Sequence, residues 1–154
     1  TLTMLESKHP VRVDHGFLNK DHAFHATASG KAILAHMNLA NQEKILKKNR
    51  VKFTEFTITD KVTLLKELNA IKKNGYAIDD EEFQEGVYCV GCPVFDQYHE
   101  PVASVSCSSP KYKIVRDKKY LDKIKSFTQQ AAIEISKYYK PKKTIKKGER
   151  KYAA

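Results

Sequence analysis

The apolar positions of the chain change period several times, and each change marks an element. Between Asp60 and Gly75, Leu64, Leu65, Leu68 and Ile71 recur at three- and four-residue intervals, the spacing of one helical face. Asp60 is a good N-cap and Gly75 a C-terminal stop, so the pattern predicts a helix through about Asn74. A longer stripe, Leu121, Ile124, Phe127 or Thr128, Ala131, Ile135 and Tyr138, predicts a helix from about Asp117 to Tyr139, ended by Pro141. Earlier, TASGKAILAHM orders Ala32, Ile33, Ala35, His36 and Met37 as a short helix behind Thr27 as N-cap. Asn41 is placed to cap a further one, QEKILKKN, with Ile45 and Leu46 inward.

Elsewhere the residues favour extended chain. Leu2, Met4, Val11 and Val13 suggest two short strands around a Lys8-His9-Pro10 turn, and VKFTEFTIT reads as an extended link. Tyr76 to Ile78 is extended and runs into an acidic turn, Asp79-Asp80-Glu81-Glu82. Val87 to Phe95 and Pro101 to Ser108 form an antiparallel hairpin across the polar segment Asp96 to Glu100. There is no internal repeat. Short strands, helices, a hairpin and a terminal helix together indicate an α+β domain, with helices packed on an antiparallel sheet.

Length and charge refine this picture. A chain of 154 residues predicts one domain, residues 1–140, with a short appendage, residues 141–154. With 41% hydrophobic and 30% charged residues it can bury a core, yet no apolar run is long enough to cross a bilayer, which excludes a membrane span. The net charge of +10 is concentrated at one end, since Lys137 to Lys151 holds eight basic residues and a single acid, Glu149. Segment KKTIKKGERKYAA is too charged and too poor in apolar side chains to pack, so it is expected to be a disordered basic tail, solvated rather than bound to nucleic acid. Three cysteines and no signal peptide argue for a reducing cytoplasm rather than a disulfide framework.

The chemistry-bearing residues each have a bland and a sharp reading. His22-x-x-His25 with Cys89-x-x-Cys92 suggests zinc, but the two-residue period of a strand points Cys89 and Cys92 to opposite faces, so packing cysteines are the better account. A Cys89 nucleophile with a histidine base lacks cationic neighbours to lower the thiol pKa. The same period groups Val87, Cys89, Gly91 and Pro93 on one face of the first hairpin strand, and Ser104, Ser106 and Ser108 on one face of the second, either solvated or lining a polar cavity. The start of the Thr27 to Met37 helix exposes backbone amides that favour an anion. Asp79 is either a solvated turn acid or an acceptor for a ligand hydroxyl.

Three stretches tip these alternatives: HATASGKAILAHM (His25 to Met37), LKELNAIKKNGYAIDDEEFQEGVYCVGCPVFD (Leu65 to Asp96) and EPVASVSCSSP (Glu100 to Pro110). Their content and order resemble the C-terminal effector-binding domain of IclR-type transcriptional regulators. The resemblance implies a GAF-like sensor domain of a cytoplasmic, non-enzymatic regulator, dimeric or tetrameric, binding a small oxo- or hydroxy-carboxylate without a cofactor or metal. It reaches operator DNA only through a winged helix-turn-helix that precedes the sensor in the family and is missing here, as are the first sensor elements. Carried onto this sequence, the effector site comprises Ala28 and Ser29 at the helix start, Asp79, Cys89, Ser106 and Ser108. Gly91 and Cys92 stand where alanines are usual, and Ser109 where glycine is usual, departures that bear on pocket shape. A stand-alone GAF-like binding module is the alternative, followed by a cysteine-dependent hydrolase.

Overall fold

The structure, a computed structural model, describes residues 3–5, 8 and 23–139. The two N-terminal strands and the basic tail expected from the sequence fall outside the described residues, apart from residues 3–5 and 8, which belong to no helix or strand.

The described chain orders as α1 (Ala28–His36), α2 (Leu39–Leu46), α3 (Lys61–Asn74), β1 (Ala77–Asp80), β2 (Val87–Phe95), β3 (Pro101–Pro110), α4 (Lys111–Arg116) and α5 (Lys118–Tyr138). The strands pair antiparallel in the order β1-β2-β3, giving the α+β architecture that the pattern predicts. The caps follow local chemistry. Thr27 accepts from the Gly30 amide, Asp60 from the Thr63 amide and Asp117 from the Tyr120 amide, while Gly75 closes α3 in the left-handed region at φ 75°.

Several expectations are corrected. Helix α2 starts three residues earlier than expected, capped by Asn38 rather than Asn41, although Leu46 is buried and Ile45 packs inward as expected. Asp79 and Asp80 do not belong to a turn but to β1, where pairing with Cys89 and Tyr88 of β2 recruits them into the sheet. The short helix α4 was not anticipated. In α5 the buried residues are Ile124, Thr128 and Ala132, whereas Phe127, Ile135 and Tyr138 are exposed.

The sheet separates two packing regions. On one face, Tyr88, Val90, Cys92 and Val94 meet Ile114 of α4 and Ile124 and Ala132 of α5. On the other lies α1, whose Ala32, Leu34 and Ala35 join Leu64, Leu68 and Ile71 of α3, Leu46 of α2 and Ala77 of β1 in a second core. Burial of these apolar side chains contributes roughly 25 cal/mol per Å² removed from water. The α1-facing surface of the hairpin carries Cys89, Gly91, Pro93 and the serines instead of large apolar groups.

Candidate effector site beneath helix α1

Strand register sets the site out in rows. Asp79, Cys89 and Ser108 stand opposite one another across the three strands, and Ala77, Gly91 and Ser106 form the neighbouring row of the same face. The Cys89 thiol donates to Ser108 Oγ at 3.1 Å. Ser108 is half-buried and Ser106 exposed.

Gly91 brings the helix start to these rows. A Cβ at this position would lie 2.5 Å from the Ala28 carbonyl carbon and oxygen and 2.8 Å from the Ser29 nitrogen, so the first peptide of α1 rests on the bare Cα of β2. Thr27 serves the Gly30 amide with its side chain at 3.1 Å and the Lys31 amide with its carbonyl at 2.9 Å. The amides of Ala28 and Ser29 are therefore those that the first turn can direct at a ligand. Five of the six sequence-derived residues, Ala28, Ser29, Asp79, Cys89 and Ser108, are joined by register, hydrogen bonding or the Gly91 contact. Ser106 joins them by pairing with Gly91.

Asp79 is neither solvated nor free. It is 3% exposed, and Oδ1 accepts the amides of Glu82 at 2.8 Å and Phe83 at 3.2 Å, which shapes the turn after β1. Burial pushes its carboxyl up to about 6, against the pull of the two amides, Lys31 and Cys89. The same burial, reinforced by the Asp79 charge, pushes the Cys89 thiol up to about 12, so it is a protonated hydrogen-bond donor at neutral pH rather than a thiolate. Cys92 sits on the opposite face in the α5 core, with its thiol pushed by burial to about 11. The strand-parity argument against a shared Cys89–Cys92 metal site is thus met by the geometry.

The histidines divide. His25 is buried, donates Nε2–H to the Val51 carbonyl at 2.9 Å and stacks on Phe53, which in turn packs on Phe83 of the turn. This makes it a brace of the loop; His22 lies outside the described residues. Sequence reasoning passed over Lys31, Glu82, Thr54 and Thr57. Lys31 is fully buried with Nζ 2.5 Å from Glu82 Oε1, and Thr54 and Thr57 donate to the carbonyls of Glu81 and Glu82 at 2.6 and 2.5 Å. Lys31 left a legible trace: with Ala28, Ala32 and Ala35 it completes an i, i+3, i+4, i+7 stripe, placing a cation in the buried phase of α1. The cleft beside α1 lined by Phe24, Leu34, Ile45 and Arg50 contains none of the six residues, and Arg50 donates there to the carbonyls of Leu46 and Thr59.

Comparison with known proteins decides the family. Residues 6–137 match the family model described as the bacterial transcriptional regulator IclR C-terminal domain. The chain belongs to the IclR family. It corresponds to the effector-binding C-terminal domain, and its GAF-like fold agrees with the resemblance noted from sequence. It is 38% identical over 93 residues to the HTH-type transcriptional regulator BhcR of Paracoccus denitrificans, covering 60% of this chain and 33% of that protein. The C-terminal domain of the Escherichia coli transcriptional regulator KdgR is similar at a TM-score of 0.69 and 32% identity, over 74% of this chain and 69% of that one. The inducer-binding domain of the PobR transcription factor from Acinetobacter, a double mutant in complex with 3-hydroxybenzoic acid, gives 0.67 and 26% identity over 75% and 66%. The chain spans about a third of the length of the curated relatives it matches. Those relatives are regulators and repressors, not enzymes. Among the described residues no helix is long and apolar enough to cross a membrane.

Proposed function

We propose that this IclR-type domain binds a small, singly charged oxo- or hydroxy-carboxylate beneath α1, and that binding controls operator recognition by a winged helix-turn-helix elsewhere in the protein. The observation that carries the reading is the convergence of the Asp79–Cys89–Ser108 row with the α1 start, which rests on Gly91. The ligand anion lies against the Ala28 and Ser29 amides, where the helix dipole favours negative charge. The hydroxyls of Ser106 and Ser108 and the Cys89 thiol complete its hydrogen bonds, and Asp79 accepts from a ligand hydroxyl while repelling a second carboxylate. The relative with 3-hydroxybenzoic acid carries a ligand of this general kind, one carboxyl and one hydroxyl.

In the same reading the regulator is a cytoplasmic homodimer or homotetramer, since two half-sites on DNA call for paired reading heads. Residues 1–140 act as the sensor and 141–154 as an appended tail. A thermal-shift screen of small organic acids, followed by calorimetric titration, tests it. Replacing Ser106 and Ser108 together by alanine is expected to weaken the acid found by about 1–3 kcal/mol, with the unfolding temperature nearly unchanged. Unchanged affinity would remove the serine face from the site.

A further inference from the structure

A buried ammonium survives only if its charge is answered. Lys31, with no exposed side-chain surface, lies 2.5 Å from Glu82 Oε1 and 3.4 Å from Glu67 Oε1. Glu82 is itself 6% exposed, and its second oxygen, Oε2, is buried and receives no hydrogen bond among the described residues. Asp79 follows at once, tied to the Glu82 amide through Oδ1 at 2.8 Å. Two buried carboxyls and a third at the rim thus converge on one cation. In that setting a ligand anion at the α1 amides, two and three residues before Lys31 on the same helix, adds a further negative charge in a medium that screens poorly. Lys31 cannot answer it, because its ammonium is already held by Glu82 and Glu67.

We propose that the site takes up its anionic ligand together with one proton, which is held by the Asp79–Glu82 pair, so that Glu82 and Lys31 determine which charge state of the site is competent. The proposal rests on the ligand reading above. The charged and titratable groups facing the pair are Lys31 from α1, Glu67 from α3 and Cys89 from β2; from the link before α3, Thr54 and Thr57 contribute uncharged hydroxyls to the turn carbonyls. Burial, with the charges of Asp79 and Glu67 added, lifts Glu82 to about 7 against the pull of Lys31, and lifts Asp79 to about 6. An arriving anion raises both further, which draws a proton from solvent near neutrality. The linkage also selects ligands: a monocarboxylate is admitted with one proton, whereas a dicarboxylate needs a second.

The experiment is calorimetric titration of the full chain with pyruvate, lactate and 3-hydroxybenzoate, all fully ionised at neutral pH, in two buffers of small and large protonation heat. The expected result is a binding heat that differs between buffers in the sense of proton uptake. Affinity is expected to fall as pH rises through neutrality, by up to about tenfold per unit for one proton. Glu82→Gln should reduce the uptake and flatten the profile. Glu67→Gln, at the rim, should move the midpoint to lower pH, because the charge it removes helps hold the proton on Glu82. Binding of any of the three acids to the wild-type chain with no difference between buffers overturns the proposal and leaves the effector site standing, even if Glu82→Gln does not fold. No binding of any acid at either about pH 6 or about pH 8 takes down the ligand reading and this proposal together.

Discussion

Gly91 shows how much a single carbon decides. Because an added methyl would meet the Ala28 carbonyl at 2.5 Å, and the obstacle is backbone rather than a flexible side chain, Gly91→Ala must lift the start of α1 off the sheet. We expect a loss of about 1–3 kcal/mol, read as a lower urea midpoint at unchanged slope. The two strand cysteines separate in the same assay. Cys92 lies among Val94 and Ala132 in the α5 core, so Cys92→Ser introduces a hydroxyl without a polar neighbour in that cluster and should cost about 1–3 kcal/mol. Cys89→Ser keeps Ser108 as its partner across the strand and should cost under about 1 kcal/mol. Equal losses at the two positions would contradict their assignment to opposite faces.

At the scale of elements, the Lys31–Glu82 pair ties α1 to the turn between β1 and β2. Lys31→Met keeps an unbranched apolar stem one atom shorter but leaves Glu82 buried beside Asp79 without its cation. The expected loss is about 3–5 kcal/mol above neutral pH, shrinking as Glu82 takes a proton in mild acid, and denaturation at the two pH values measures it. Elements with both ends written in their residues were the legible ones: α3 runs from Asp60 to Gly75 as its cap and stop dictate, and the hairpin strands follow the two-residue period. Helix α2 was offset because Asn38 and Asn41 are equally good caps three residues apart, and only packing of the helix chooses between them. Helix α4 was hidden because its six residues bury only Ile114. The site was partly legible: period alone grouped Cys89 with Gly91 and Ser106 with Ser108. Pairing of Asp79 into the sheet and the charge pairing of Lys31 are tertiary facts, with the apolar phase of Lys31 as their single local sign. Of the two candidates Phe127 and Thr128 the α5 stripe takes Thr128, and it misled at Ile135 and Tyr138, where helical period continues beyond what the sheet covers.

For the whole molecule, Asp79 and Glu82 give stability an inverted dependence on pH. An ordinary paired carboxylate has its pKa depressed by folding and loses its contribution in acid. These two are raised by burial, to about 6 and about 7, from ordinary values of about 4 in the unfolded chain. Their contribution is therefore complete below about pH 4 and declines as pH rises through 6 and 7. Thermal unfolding should show a higher midpoint at about pH 6 than at about pH 8, and Glu82→Gln should reduce the difference. A midpoint that does not fall across this interval, with Glu82→Gln leaving the profile unchanged, would mean that folding does not raise these two carboxyls.

On the proposed reading the two sides of the sheet divide labour. Cohesion comes from Val90, Cys92 and Val94 against the terminal helix, while the face to which we assign the ligand carries short hydroxyl and thiol groups on alternate positions of the same strands. Because neighbouring positions project to opposite sides, substitutions that retune recognition need not touch the residues that hold the chain together. If the ligand lies where we propose, substitutions at Ser106 and Ser108 would change what is sensed at small thermodynamic risk, leaving the scaffold intact.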